Sequence, residues 1–285
     1  MAFVIGRFNL GINGVTILFV FKQMALFGLC YLSVLLLNFI VGKNELTKKS
    51  NYEMLLYSLF LLVIVQVTTN NYIIISNFFV LLGIRRMISL RSQIDVKKKL
   101  FDAAFWIALA TLFYFWSILF FVLIIVSLFL YTDNKVNHWV IPFTGILCVF
   151  VIGVAISIIW YDGFFEVFRS LPQWSFNFST YNTTQFIIAI TLLFSFGIWS
   201  SLFYIKNIKQ KKKGLRPSYY IILIAAFLAF ILMILAPEKN GSEFLFLLGP
   251  LAIIITNYIE SIDDKWFKEF FLAVLIIVPF VLLML

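Results

Sequence analysis

The sequence predicts an all-α fold, a polytopic transmembrane helical bundle of about nine or ten membrane segments that include short paired helices. Three observations carry this expectation. Hydrophobic residues fill 63% of the 285 positions and charged residues only 12%, whereas roughly a quarter of the residues in a soluble domain are charged. Long apolar runs recur along the whole length, and about 20 such residues carry a helix across a hydrocarbon core of roughly 30 Å. The runs are continuous rather than alternating with period two, so a transmembrane barrel is excluded. The whole of 1–285 reads as a single transmembrane domain.

Taken in order, residues 8–21 form a weak first segment, because Gly11 and Gly14 lower helix propensity. A partial span, an interfacial helix and the remnant of a longer first span all fit it. No small-residue cleavage site follows the apolar stretch after Lys22, so the first spans are expected to target the chain. Full-length spans are expected at 24–42, 139–160, 184–205, 219–236, 244–260 and 269–285. Residues 53–68 and 71–84 are each short and meet at Thr68, Thr69, Asn70 and Asn71, which reads as a tight hairpin with a polar tip. Residues 100–131 pose the opposite problem, since one helix of that length would measure about 48 Å.

Charge decides how that long stretch runs. The net charge of +9 gathers in short segments between spans, where Lys and Arg set topology and attract anionic headgroups, so nucleic acid is not an expected partner. Arg85, Arg86, Arg91, Lys97, Lys98 and Lys99 precede the stretch, and the loop 206–218 carries a second cluster. Both clusters are expected in the cytoplasm, which requires residues 100–131 to cross an even number of times. A break near Tyr114 to Ser117 achieves this. The same count puts the loop 161–183 outside, along with residues 237–243.

That external loop is dense in aromatics: Phe164, Phe165, Phe168, Trp174, Phe176, Phe178 and Tyr181. Phe164, Phe165, Phe168 and Leu171 share one face at helical spacing and Asp162 is placed to cap them, so an interfacial helix is expected. An aromatic belt is one role for the loop. The other is a platform for a lipid-linked or acyl substrate, with Asp162, Glu166 and Arg169 facing its headgroup and Trp174 beside them. General acid or base chemistry on this side has only Asp162, Glu166, Glu238 and Glu243 to draw on, with Asp162 and Glu166 the first candidates.

On the cytoplasmic side, Arg85, Arg86 and Arg91 with the neighbouring lysines are candidates for a headgroup or partner site, and Asp102 is read as a helix cap. Membrane lipids and other envelope membrane proteins are the expected partners. No metal is expected, because His138 is the single histidine and Cys30 and Cys148 lie in apolar runs. No cofactor is expected either, since the chain has no phosphate loop and no dinucleotide fingerprint. With no ionisable residue in the middle of a span, an ion-coupled pump is disfavoured.

The stretch NFFVLLGIRRMISLRSQIDVKKKLFDAAFWIALATLFYFWSILF, followed by HWVIPF, resembles an uncharacterised family of inner-membrane proteins from Bacteroidota, especially flavobacteria. The similarity is strongest over residues 50–145. It implies a multi-pass protein of the inner membrane, with no established activity. The expected role is a component of cell-envelope biogenesis that packs against lipid or partner proteins, with a transporter of a hydrophobic or lipidic solute as an alternative. More loosely, the basic linker, the two short helices and the span that follows resemble multi-span glycosyltransferases that depend on polyprenyl phosphate. Those enzymes place a catalytic Asp or Glu in the first external loop, and here nothing acidic precedes Glu45.

Overall fold

Each apolar run coils into a helix, because in lipid every backbone N–H and C=O must be satisfied within its own segment. The computed structural model describes residues 1–8, 16–48, 50–131, 136–168 and 173–284. These form α1 (Ala2–Phe8), α2 (Ile17–Asn44), α3 (Tyr52–Val63), α4 (Asn71–Ser89), α5 (Val96–Phe113), α6 (Phe121–Tyr131), α7 (Val136–Tyr161), α8 (Thr184–Ile208), α9 (Arg216–Leu235), α10 (Leu245–Ser261) and α11 (Lys265–Leu282). No strand occurs among the described residues. Polar side chains set the starts: Thr16, Asn70, Thr183 and Asp264 each accept a hydrogen bond from a backbone N–H in the first turn of the helix that follows.

The axis of the bundle is α10. Every residue from Leu245 to Ile259 is buried, and α3, α4, α8 and α9 pack around it. The outer helices turn large apolar groups away from the protein, such as Phe143 at 69% exposed. A perimeter as apolar as the core fits a hydrocarbon solvent and not water. Small residues allow backbones to close up where helices meet: a Cβ on Gly145 of α7 would lie 2.8 Å from Phe101 O of α5, and Ala103, Ala104 and Ala110 of α5 are fully buried.

Among the described residues six helices are long and apolar enough to cross a membrane: α2, α4 with the turn after it, α7, α8, α9 and α10. That is fewer than the nine or ten expected. The short α3 has 12 residues, which is about 18 Å. Both α5 and α11 start with charge, Lys97, Lys98, Lys99 and Asp102 in one and Lys265, Lys268 and Glu269 in the other.

The long stretch does break where expected: α5 stops at Phe113, Tyr114 is extended, and a 3-10 turn at Phe115–Phe120 leads into α6. Ser76 of α4 closes the break, donating to Ala110 O at 2.9 Å and lying 2.7 Å from the Ser117 hydroxyl. The expected hairpin of 53–68 and 71–84 is corrected in two respects. First, α4 does not stop at 84 but continues through Arg85 and Arg86 to Ser89. Second, α3 packs chiefly on α10 and α11, not on α4. The span expected at 24–42 begins instead at Ile17, so residues 17–21 belong to α2 and residues 9–15 lie outside the described ones.

The helix ends gather into two sets. At one end Arg91 donates to Asn44 O (3.2 Å), Gln93 to Tyr131 O (2.6 Å), Tyr219 to Glu45 O (3.1 Å) and the Lys48 N–H to Glu260 (2.7 Å). Both basic clusters therefore lie at the same end. At the opposite end Arg7 donates to Thr68 O (2.8 Å) and Trp116 to Gln173 O (3.0 Å).

Candidate functional site at the aromatic end

The end opposite the lysines collects the aromatic loop, the break after α5 and the α9–α10 turn. The loop 161–183 folds back on α7 instead of standing away from it. The Ser157 hydroxyl accepts from the Glu166 and Val167 N–H groups at 2.7 and 3.4 Å. Phe168 packs on Phe150, ring centroids 5.4 Å apart, and fills the space left by Gly153, where a Cβ would come within 2.5 Å of its ring.

The interfacial helix expected here does not start at Asp162. That residue adopts φ +53 at the end of α7 and does not cap a following helix. The described part of the loop contains bends and single 3-10 turns at Glu166–Phe168 and Ser179–Tyr181. Leu171 and the candidate Arg169 lie outside the described residues. Trp174 is exposed, as are Trp160, Tyr161, Phe164, Phe165 and Phe176, so this end presents a shelf of rings. Beneath it lies an open pocket of about 460 Å³ lined by Tyr72, Leu112, Phe113, Tyr161, Glu166 and Val167. Glu166 thus joins a pocket, whereas Asp162 is exposed and lines none of those described.

The residue that sequence reasoning ranked too low is Glu243. The sequence places it in the external segment 237–243 behind Asp162 and Glu166 as a candidate, yet it is fully buried. Its Oε1 accepts from Gly241 N–H at 3.3 Å, and its Oε2 has no hydrogen-bond partner among the described residues. The turn that places it requires glycine: Gly241 has φ +92, and a Cβ there would lie 2.8 Å from the Phe186 ring. Rings enclose the site. Tyr181 packs on Phe186 (5.3 Å) and Phe244 (5.6 Å), Tyr114 stacks on Phe246 (5.7 Å), and Tyr114 lies within electrostatic reach of Glu243. The Tyr181 hydroxyl is also buried, without a partner among the described residues.

Lys239 borders this cluster. Its ammonium donates to Met233 O and Ile234 O at the C-terminal end of α9, 2.7 and 2.5 Å away, and lies 5.0 Å from the Phe178 ring centre. Burial pushes its amine down to about 8. On the far side of Gly241, Gln66 and Phe186 also line a cavity of about 370 Å³, together with Thr69 and Gln185. A buried acid and a buried phenol, each with bonding capacity left over, can hold a hydroxyl, an amine or a cation.

At the basic end the three arginine candidates do not converge. Arg86 pairs with Asp102 at 3.0 Å, Arg85 lies over the Phe39 ring at 4.7 Å, and Arg91 is bonded to Asn44 O. The pairing corrects the reading of Asp102 as a cap: α5 starts at Val96, so Asp102 lies in its second turn and binds α4 to α5. His138 is half-buried at the start of α7, next to Trp139, which packs on Phe129 at 5.0 Å. Cys30 and Cys148 are half-buried rather than buried.

Six helices among the described residues that are long and apolar enough to cross a membrane, with an aromatic end and a basic end, are consistent with a multi-pass integral membrane protein. Within that class, the profile of a family of unknown function, DUF6427, matches residues 3–284, and the chain belongs to that family. The match extends over nearly the whole chain the similarity read most strongly in residues 50–145. No curated protein matches the chain, and no solved structure does.

Proposed function

We propose that the chain is a component of cell-envelope biogenesis in the bacterial cytoplasmic membrane, where its aromatic end faces outward and receives a lipid or lipid-linked molecule. One observation carries the reading: Glu166 and three aromatic side chains line a pocket directly below a shelf of exposed rings. Rings at that level suit the interface, where an amphipathic ligand has both its apolar and its polar part. The sidedness rests on the positive-inside rule applied to Lys97 and Lys211. In this orientation α3, α5, α6 and α11 also cross, and the passes number ten.

Complementation of a deletion strain tests the proposal. Tyr161→Ala with Trp174→Ala is expected to lose the envelope phenotype's rescue and the co-purified lipid together, at normal protein level. Full rescue with unchanged lipid would refute it.

A second reading, a transferase acting on a lipid-linked sugar, is favoured by Glu243, the buried carboxyl at the same end. Glu243→Gln keeps shape and removes the acid. If the transferase reading holds, rescue is lost while lipid is retained; if Glu243→Gln, Asp162→Ala and Glu166→Ala all rescue, that reading fails.

A further inference from the structure

A second lipid-sized feature lies on the side of the bundle. The α8–α9 pair encloses a groove of about 520 Å³, whose wall is almost wholly apolar and whose floor is Leu251 of α10. Helix α8 supplies Gly197, Ser201 and Ile205 to it, and α9 supplies Phe227 and Phe230. The hollow originates at Gly197, where a Cβ would lie 2.8 Å from Leu251 Cδ1, so α8 sits down on α10 and its small side chains leave room beside α9. Ile198, Leu202 and Phe227 on its rim are exposed at 61, 60 and 60%, so the groove opens sideways, off the bundle.

Its length fits one leaflet. From Leu193 to Ile205 the helical rise amounts to about 18 Å, against about 15 Å for half of a 30 Å hydrocarbon core. On α8 the groove extends from Leu193 to Ile205, one residue short of Lys206, and on α9 from Leu223 to Phe230.

Where the groove ends, the charge begins. Lys206 follows Ile205, and Lys209, Lys211, Lys212, Lys213 and Arg216 complete the turn into α9. Arg216 is committed to the turn itself, donating to Lys211 O (2.9 Å) and Lys209 O (2.6 Å). The Lys211 ammonium lies 5.2 Å from the Tyr219 ring centre. Nearby acids are engaged elsewhere: Glu260 accepts from Lys48 N–H and Ser50, and Asp264 from Trp266 N–H. Lys206, Lys209, Lys212 and Lys213 are exposed, and the single ion pair found among the described residues joins Arg86 to Asp102. Lys206 directly follows the groove-lining Ile205, and the four exposed lysines of this turn are complementary to a phosphate that has a fatty chain attached.

We infer that the α8–α9 groove holds one acyl chain of an anionic phospholipid from the leaflet at the basic end, with its phosphate among Lys206, Lys209, Lys212 and Lys213. This site is separate from the aromatic-end pocket and does not depend on what that pocket binds. The full-length chain is reconstituted in nanodiscs of phosphatidylcholine containing phosphatidylglycerol, and retained lipid is counted by native mass spectrometry. The expected result is preferential retention of phosphatidylglycerol, reduced about tenfold or more by changing the four lysines to glutamine and weakened by added salt.

Ser201→Trp fills the groove and is expected to abolish retention while all four lysines remain. Ser201→Leu serves as a milder filler if the tryptophan variant fails to assemble. Equal retention of the two lipids, or of phosphatidylglycerol by the wild-type and glutamine variants, would overturn the inference. So would crosslinking from Ile198 to another polypeptide with no lipid retained.

Discussion

Replacing Phe246 with alanine separates a bundle built for lipid from one built for water. Phe246 is 2% exposed on the central helix, and its ring packs on Tyr114 and Phe120 at 5.7 and 5.9 Å. The substitution removes about 100 Å³ of side chain, and a cavity of that size costs ~2.4 kcal/mol at about 24 cal/mol per Å³. In a water-soluble core the lost transfer from water adds to this, to a total of about 3–5 kcal/mol. In a bilayer the separated helix already rests among lipid tails, so the transfer contribution disappears and only packing is lost. The expected loss is therefore about 2 kcal/mol, read from reversible unfolding in mixed micelles as SDS is titrated. The control is Phe143→Ala on α7, 69% exposed, for which a change below about 0.5 kcal/mol is expected. Equal losses at the two positions would refute the reasoning, because they would mean that α10 is not the packed axis or that α7 is not in contact with lipid.

Gly145→Val drives a side chain into backbone atoms, 2.8 Å from Phe101 O and 3.1 Å from Phe105 N. Neither can move without parting α5 from α7, so a loss of about 1–3 kcal/mol is expected in the same titration. For Lys239 the folded chain holds the amine at about 8, below its ordinary 10.5. Between those values the unfolded chain binds a proton that the folded chain does not, so resistance to unfolding is expected to rise with pH across that window. Lys239→Met is expected to flatten the rise; a wild-type profile without slope there would contradict the burial.

The membrane class was legible because it depends on composition and run length alone. So was the break near Tyr114, since charge on both sides forced the long stretch to turn back. Helix extents were less legible. Apolar runs mark where a helix meets hydrocarbon, not where its hydrogen bonding stops, so α4 continued past Arg85 and α2 began before Lys22. The burial of Glu243 was illegible for a related reason. Asp162 and Glu166 stand out in the sequence because they lie in a loop full of rings, while Glu243 lies in a short turn. Phe186 and Gln66, from two other parts of the chain, close over Gly241 two residues before it, a contact that no local pattern announces. A glycine and an acid two residues apart, at the entrance of a helix without a polar face, were the available signal.

The position of α10 in the chain has a consequence for how the protein is made. The helix at the centre of the bundle is the tenth of the eleven described helices in chain order, so α3, α4, α8 and α9, which pack on it, are all synthesised first. A ribosome that has reached residue 240 has delivered α2, α4, α5 and α7, which pack on one another. By contrast α3, α8 and α9 complete their packing only when Leu245–Ser261 is in place.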